Sequence, residues 1–226
     1  MSSVPRLLGK LAIGGLIFAG LPLLGWGLGD LGGFFANPAR LGYVVLALLL
    51  QVVVVIWVPE AGSNRGQAKA TVRRQRLSLL LLQVVPLAIV LVAPFCDRRG
   101  IAVLGQGNLV RYVGLVAFAV GILGMHWAEA SLDRQFSVEV RIQEGHQLVT
   151  GGPYRYLRHP RYLGIILFTA GISLVFRSWL ALILVAVLSA VLVWRIHDEE
   201  MLLHREFGTE WEAYAARSWR LLPPVY

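Results

Sequence analysis

Leu148-Val-Thr-Gly-Gly-Pro-Tyr-Arg-Tyr-Leu-Arg-His-Pro-Arg-Tyr-Leu-Gly164 is a polar island between long apolar runs. It holds Arg155, Arg158, Arg161, His159, Tyr154, Tyr156 and Tyr162. Charge placed near lipid is costly and tends to mark function. Gly151-Gly152-Pro153 is a turn signal, since glycine permits backbone angles that other residues avoid. It also leaves backbone N–H and C=O groups open to a ligand. His159-Pro160 precedes the next apolar run, with proline suited to a helix's first turn. The same residues suit an ordinary interfacial loop with snorkelling arginines and interfacial tyrosines. The physics of this stretch alone leaves both readings open.

Apolar runs flank the island on both sides. A spanning helix needs about 20 mostly apolar residues. Leu7 to Leu28, Leu41 to Val58, Leu77 to Phe95 and Leu109 to Ala130 qualify upstream. Downstream, Tyr162 to Phe176 and Trp179 to Trp194 are shorter and are separated only by Arg177-Ser178, which predicts a tight helical hairpin. The fold class expected is an all-α integral membrane protein with about six membrane helices, the last two a short hairpin. From Asp198 onward, Leu202, Leu203, Phe207, Trp211, Tyr214 and Trp219 recur at spacings near three and four. They give one greasy face to a pair of surface helices. Gly208 is expected to end the first of these, and Thr209 with Glu212 to cap the second.

Composition agrees with the class. Hydrophobic residues make up 57% of the 226, above the roughly 45–50% of soluble domains. Charged residues are 15% and the formal net charge is +8, which suits an anionic membrane face. Nothing resembles a nucleic-acid module, so no nucleic-acid partner is expected. Arg6 and Lys10 before an apolar run imitate a secretory signal, but no convincing small-x-small cleavage site follows, and an uncleaved first helix is expected. The single cysteine, Cys96, excludes an internal disulfide. There is no internal repeat or low-complexity linker. Residues 1–226 read as one membrane-embedded domain, with four spanning helices in 1–130 and the cofactor-binding and catalytic region in 131–226.

A second island, Arg195-Ile-His-Asp-Glu-Glu200, follows the hairpin. Arg195, Asp198, Glu199 and Leu202 share one helix face; His197, Glu200 and His204 share another. A solvated amphipathic helix past a membrane exit is the ordinary reading of such a charge run. It explains less well why two adjacent carboxylates follow directly on an apolar span. A metal is not expected. The five histidines form neither a His-Glu-x-x-His motif nor the repeated Glu-x-x-His pairs of di-iron bundles. Cys96 has no histidine near it in sequence to make a covalent nucleophile.

Gly152-Pro153-Tyr154, then Arg158-His159-Pro160-x-Tyr162-x-Gly164, then Glu199-Glu200-x-x-Leu203 and Phe207-Gly208, resembles the isoprenylcysteine carboxyl methyltransferase family. Phospholipid methyltransferases and other small membrane methyltransferases share the pattern. The resemblance covers Gln135 to the C-terminus; the first four helices add only a compatible hydropathy profile. Trp211 departs from it, since related chains often carry tyrosine there.

The resemblance implies an S-adenosylmethionine-dependent enzyme without a Rossmann domain. It implies a cofactor pocket drawn from Leu148, Val149, Gly152, Tyr154, Arg158, His159, Tyr162, Glu199 and Glu200, with Arg195 and Glu199 catalytic. The acceptor expected is lipidic or prenylated, most simply the carboxylate of an isoprenylcysteine. A phospholipid amine or a small thiol is the alternative acceptor. The alternative classes are an NADPH-dependent membrane reductase and a non-enzymatic transporter or assembly factor. Transporters usually place ionisable residues near mid-membrane, whereas these gather at one surface. Membrane lipids are the other expected partners, and oligomeric state is not legible.

Loop charge orients the chain. Arg6 and Lys10; Arg65, Lys69, Arg73, Arg74 and Arg76; Arg134, Arg141, Arg155, Arg158 and Arg161; and Arg195, Arg205, Arg217 and Arg220 fall on one side if there are six crossings. That side should be the cytoplasm, with both termini and the active site. Arg98, Arg99 and Arg111 dissent, partly offset by Asp97. Reporter fusions at the C-terminus and at Gly105 are expected on opposite sides of the membrane; finding both on one side would overturn the topology.

Overall fold

The computed structural model describes residues 3–57, 68–71, 76–105, 107–132, 141–143, 148–224 and 226. Its helices are α1 (Ser3–Gly15), α2 (Leu21–Trp26), α3 (Leu31–Phe35), α4 (Pro38–Trp57), α5 (Arg76–Arg99), α6 (Leu109–Leu132), α7 (Pro160–Val175), α8 (Trp179–Phe207) and α9 (Thr209–Ala215). Two short strands, β1 (Ala68–Thr71) and β2 (Arg141–Gln143), pair antiparallel, a small ribbon that hydropathy gave no sign of. The architecture is otherwise all-helical. A π-helical turn, Leu16–Gly20, joins α1 to α2, so that Leu7–Trp26 is one apolar span. With α4, α5, α6 and α8 it makes five spans, among the described residues, long and apolar enough to cross a membrane. The shorter apolar helix α7 completes the set of about six. Arg65, Arg73, Arg74 and Arg134 lie outside the described residues.

α7 has 16 residues, a rise of about 24 Å at 1.5 Å per residue, against a hydrocarbon core of about 30 Å. Its place is set by α6. Gly121 and Gly164 meet so closely that a Cβ on Gly164 would lie 2.8 Å from the Gly121 carbonyl oxygen and 2.7 Å from the Met125 nitrogen. Seven residues on in α7 and seven back in α6 the contact repeats: a Cβ on Gly171 would lie 2.7 Å from the Gly114 oxygen. Apolar side chains gain little by leaving lipid for protein. Membrane helices therefore associate through close packing, which small residues allow.

The turn between α7 and α8 is tied down at the end of the bundle away from the first island. The Asp97 carboxylate, with no exposed surface, receives Arg111 at 2.7 and 2.8 Å, Arg40 at 3.1 Å and Arg177 at 3.2 Å. These residues stand on α5, α6, α4 and the turn. Arg177 adopts φ +50°, and its carbonyl accepts from the Leu104 nitrogen. Ser178 caps α8 by accepting from the Ala181 nitrogen at 3.1 Å. Arg111 is therefore no loop charge. It is buried and neutralised inside the bundle, which weakens the dissent in the charge bias.

Two expectations need correction. The second arm of the hairpin is not short: α8 runs 29 residues and carries the whole second island. No glycine or proline interrupts Arg195 to Phe207, so nothing stops the helix at the membrane exit. Nor does Thr209 cap α9. Gly208, at φ +51°, occupies the cap position with no side-chain bond, and Glu212 instead pairs with His204 at 2.9 Å.

The glycine contact is testable. Gly164→Val is expected to cost about 1–3 kcal/mol of stability, since a side chain there must push two backbones apart. Gly124→Ala, on α6 where a Cβ meets open space, should leave melting in detergent unchanged or slightly raised.

Candidate active site

Short paths bring the two islands together. α7 begins at Pro160 with His159 in the cap position, and α8 returns beside it. The His159 ring, 4% exposed, stacks on Tyr162 with centroids 5.6 Å apart and planes 6° from parallel. The Tyr162 hydroxyl donates to Glu199 Oε2 at 2.9 Å. His159 Nδ1 lies 3.9 Å from Glu199 Oε2, and its Nε2 lies 3.4 Å from Glu200 Oε1 without hydrogen-bond alignment. That buried Nε2 has no hydrogen-bond partner among the described residues.

The two glutamates differ. Glu200 is claimed on both oxygens, by Arg158 Nε at 2.7 Å and by Arg220 Nε at 2.8 Å. Glu199 is half-buried and holds only Tyr162 on one oxygen; its other oxygen has no partner among the described residues.

Arg158 ties the island to the tail. Its Nη1 donates to the Ala215 carbonyl at 2.9 Å and to the Ser218 carbonyl, and its guanidinium lies 6.0 Å from the centre of the Trp211 ring. The chain after α9 returns alongside. Arg158 N donates to the Trp219 carbonyl at 2.7 Å, His159 N to the Arg220 carbonyl at 3.0 Å, and Trp219 N to the Tyr156 carbonyl at 2.9 Å. The Tyr214 hydroxyl donates to the Tyr154 carbonyl at 2.8 Å. Burial pushes the Tyr214 phenol up to about 12, so it remains a donor at neutral pH. A cleft of about 490 Å³ opens on the tail side, lined by Arg158, Trp219, Arg220 and Tyr226 but not by His159, Tyr162 or Glu199.

On the other flank, Gly152 sits at φ +56°, and a Cβ there would lie 2.8 Å from Ser131 Oγ on α6. The angle favours glycine. The backbone groups of Leu148, Val149 and Thr150 have no hydrogen-bond partners among the described residues, an open edge for a ligand. Arg161 donates to Glu129 at 2.8 Å, and His126 lies 2.8 Å from the same carboxylate. Glu129 thus links His126 of its own helix to an arginine of the island.

Arg195 lies deeper. It is 2% exposed, and its Nη1 donates to Ser78 Oγ at 3.2 Å. The sequence gives no sign of Ser78 and Ser218 at the site, no sign that Glu129 pairs with Arg161, and marks Tyr214 only as part of a greasy helix face and Arg220 only as loop charge. None carries a local pattern, because each meets the site from a distant part of the chain.

Residues 112–205 match the isoprenylcysteine carboxyl methyltransferase family. A probable protein-S-isoprenylcysteine O-methyltransferase of Oryza sativa subsp. indica is 34% identical over 121 residues, 50% of this chain and 61% of that protein. Protein-S-isoprenylcysteine O-methyltransferase A of Arabidopsis thaliana is 34% identical over 109 residues, 45% of this chain and 53% of its own length. The uncharacterized protein YpbQ of Bacillus subtilis is 29% identical over 83 residues, 36% of this chain and 49% of that one. The chain thus spans about three-fifths of the rice relative it matches. The matched segment holds most of α6, α7, the first island and most of α8, including His159, Tyr162, Arg195, Glu199 and Glu200.

Glu200→Gln is expected to cost about 3 kcal/mol, because two arginines lose a largely buried partner. Trypsin should then cut at Arg217 faster. Glu212→Gln, at an exposed pair, should change melting by less than about 1 kcal/mol equivalent.

Proposed function

We propose that this is an integral membrane methyltransferase that takes its methyl group from S-adenosylmethionine and esterifies the carboxylate of a prenylated cysteine. The observation that supports it best is the asymmetry of the acidic pair on the family-matched segment. Glu200 is neutralised by Arg158 and Arg220, and Glu199 keeps an oxygen for a cationic ligand. The residues fit the cofactor: a carboxylate oxygen, a buried imidazole nitrogen without a partner and an open backbone edge match an ammonium, hydroxyls and a nucleoside base.

S-adenosylmethionine would supply a methyl group activated as a sulfonium. In this reading Glu199 holds the cofactor's positive end. Tyr162 fixes that carboxylate by its hydrogen bond, and His159 is kept in plane by stacking on Tyr162. Leu148, Val149 and Gly152 contribute backbone groups. Arg158 and Glu200 support the pocket wall, since their own groups are already engaged, and Tyr154 anchors α9 through its carbonyl. Arg195 binds the acceptor carboxylate with a fork suited to it. It stands four residues before Glu199, about 6 Å along the helix axis, so one turn of α8 carries both the group for the acceptor and the group for the cofactor. Transfer would join the carboxylate oxygen to the methyl carbon as that carbon leaves sulfur, giving the methyl ester and S-adenosylhomocysteine. The carboxylate is already ionised, so no general base is required. Positioning and electrostatics then carry the rate. The acceptor's apolar tail enters from the bilayer and the cofactor from the cytoplasm, the side on which the loop-charge bias is expected to put both termini and the site.

The test is titration of purified protein with S-adenosylhomocysteine and, separately, NADPH. S-adenosylhomocysteine should bind and NADPH should not. Glu199→Gln should weaken that binding about ten- to hundredfold, the loss of a charge-assisted contact, with melting nearly unchanged. Binding of NADPH alone would make the reductase reading correct.

A further inference from the structure

Ser78 is an outlier in its surroundings. It lies at the start of α5, where Leu77 and Leu80 are exposed, yet it is itself 2% exposed. Its Oγ accepts from Arg195 Nη1 at 3.2 Å across 117 residues of sequence. A guanidinium that far inside the bundle must be hydrogen-bonded to be tolerated. The kind of partner matters. An aspartate at this position would hold the guanidinium harder but would add a negative charge beside it. A hydroxyl adds an acceptor and no charge, so it restricts the arginine's rotamers while sparing its attraction for an anion.

We infer that Ser78 is a positioning residue, aiming Arg195 at the acceptor's anionic group through a neutral hydrogen bond; this rests on the reading in which Arg195 serves that acceptor. α5 therefore belongs to the acceptor side of the site, although it lies outside the family-matched segment. The specificity for an anionic acceptor is then shared between α5 and α8, which pack against each other directly.

Ser78→Ala, Ser78→Thr and Ser78→Asp in the full chain, reconstituted in lipid nanodiscs, separate this role from simple packing. The probe is N-acetyl-S-farnesylcysteine with S-adenosylmethionine, and each variant is also titrated with S-adenosylhomocysteine and melted. Ser78→Ala is expected to raise the acceptor KM about tenfold, with S-adenosylhomocysteine affinity held within about twofold, and Ser78→Thr to recover most of the loss. Ser78→Asp is the decisive variant. It should melt no lower than the alanine variant, yet raise the acceptor KM at least as far. A structural role predicts the opposite, because the aspartate is the better partner for the arginine. An unchanged acceptor KM in both Ser78→Ala and Ser78→Asp, or a fall in S-adenosylhomocysteine affinity in step with the rise in KM, would overturn the inference alone. No methyl transfer to the probe by the unsubstituted protein would overturn the functional reading and this inference with it.

Discussion

Backbone-to-backbone contact between α6 and α7 is the constraint on which the site depends. Gly114 and Gly121 face Gly171 and Gly164 with no room for a methyl group. Such an interface has little freedom to slide, because each glycine pair is a notch that only another glycine fits. It fixes the level at which α7 begins, and so the height of His159 and Tyr162 relative to the end of α6. Glu129, near that end, then reaches Arg161. A helix shorter than the bilayer is thus held at a defined depth by its neighbour rather than by its own length.

The opposite end of the hairpin is fixed by charge. Asp97 accepts from arginines of two other helices and of the α7–α8 turn, all of them buried or nearly so. Buried ion pairs are weak evidence for stability but strong constraints on arrangement, since breaking one strands a charge. Here the cluster decides where α8 starts. Because α8 then runs unbroken for 29 residues, the position of Glu199 and Glu200 follows from a turn at the other end of the bundle. The bundle sets the site through two anchors of different kinds, one steric and one electrostatic.

Much of this was legible in the chain. Hydropathy marks each apolar helix, because a spanning helix must be apolar over a length set by the bilayer. The order of Gly152, His159, Tyr162, Arg195 and the acidic pair marks where chemistry gathers. What stayed hidden involves pairs far apart in sequence. Arg220 and Glu200 look like two unrelated surface charges until the tail folds back. Ser78 is one serine in a leucine-rich run, and Arg111 passes for a loop residue until Asp97 is found beside it. Helix continuity was also misjudged at Trp194, where the change from apolar to polar marks the membrane surface and not a helix end. The β1–β2 ribbon pairs short segments with no alternating pattern to announce it.

The double claim on Glu200 bears on how the chain comes together during synthesis. Membrane segments emerge and insert in order from the N-terminus, and domains form as they appear. Arg158 and Glu200 are both present once α8 is made, but Arg220 follows 20 residues later, beyond α9. Until then Glu200 has one arginine, Arg158 lacks the Ala215 and Ser218 carbonyls, and His159 N lacks the Arg220 carbonyl. The bundle can therefore be seated in the bilayer while its polar mouth is still unfinished. Charge balance at that mouth is the last feature of the described fold to arrive.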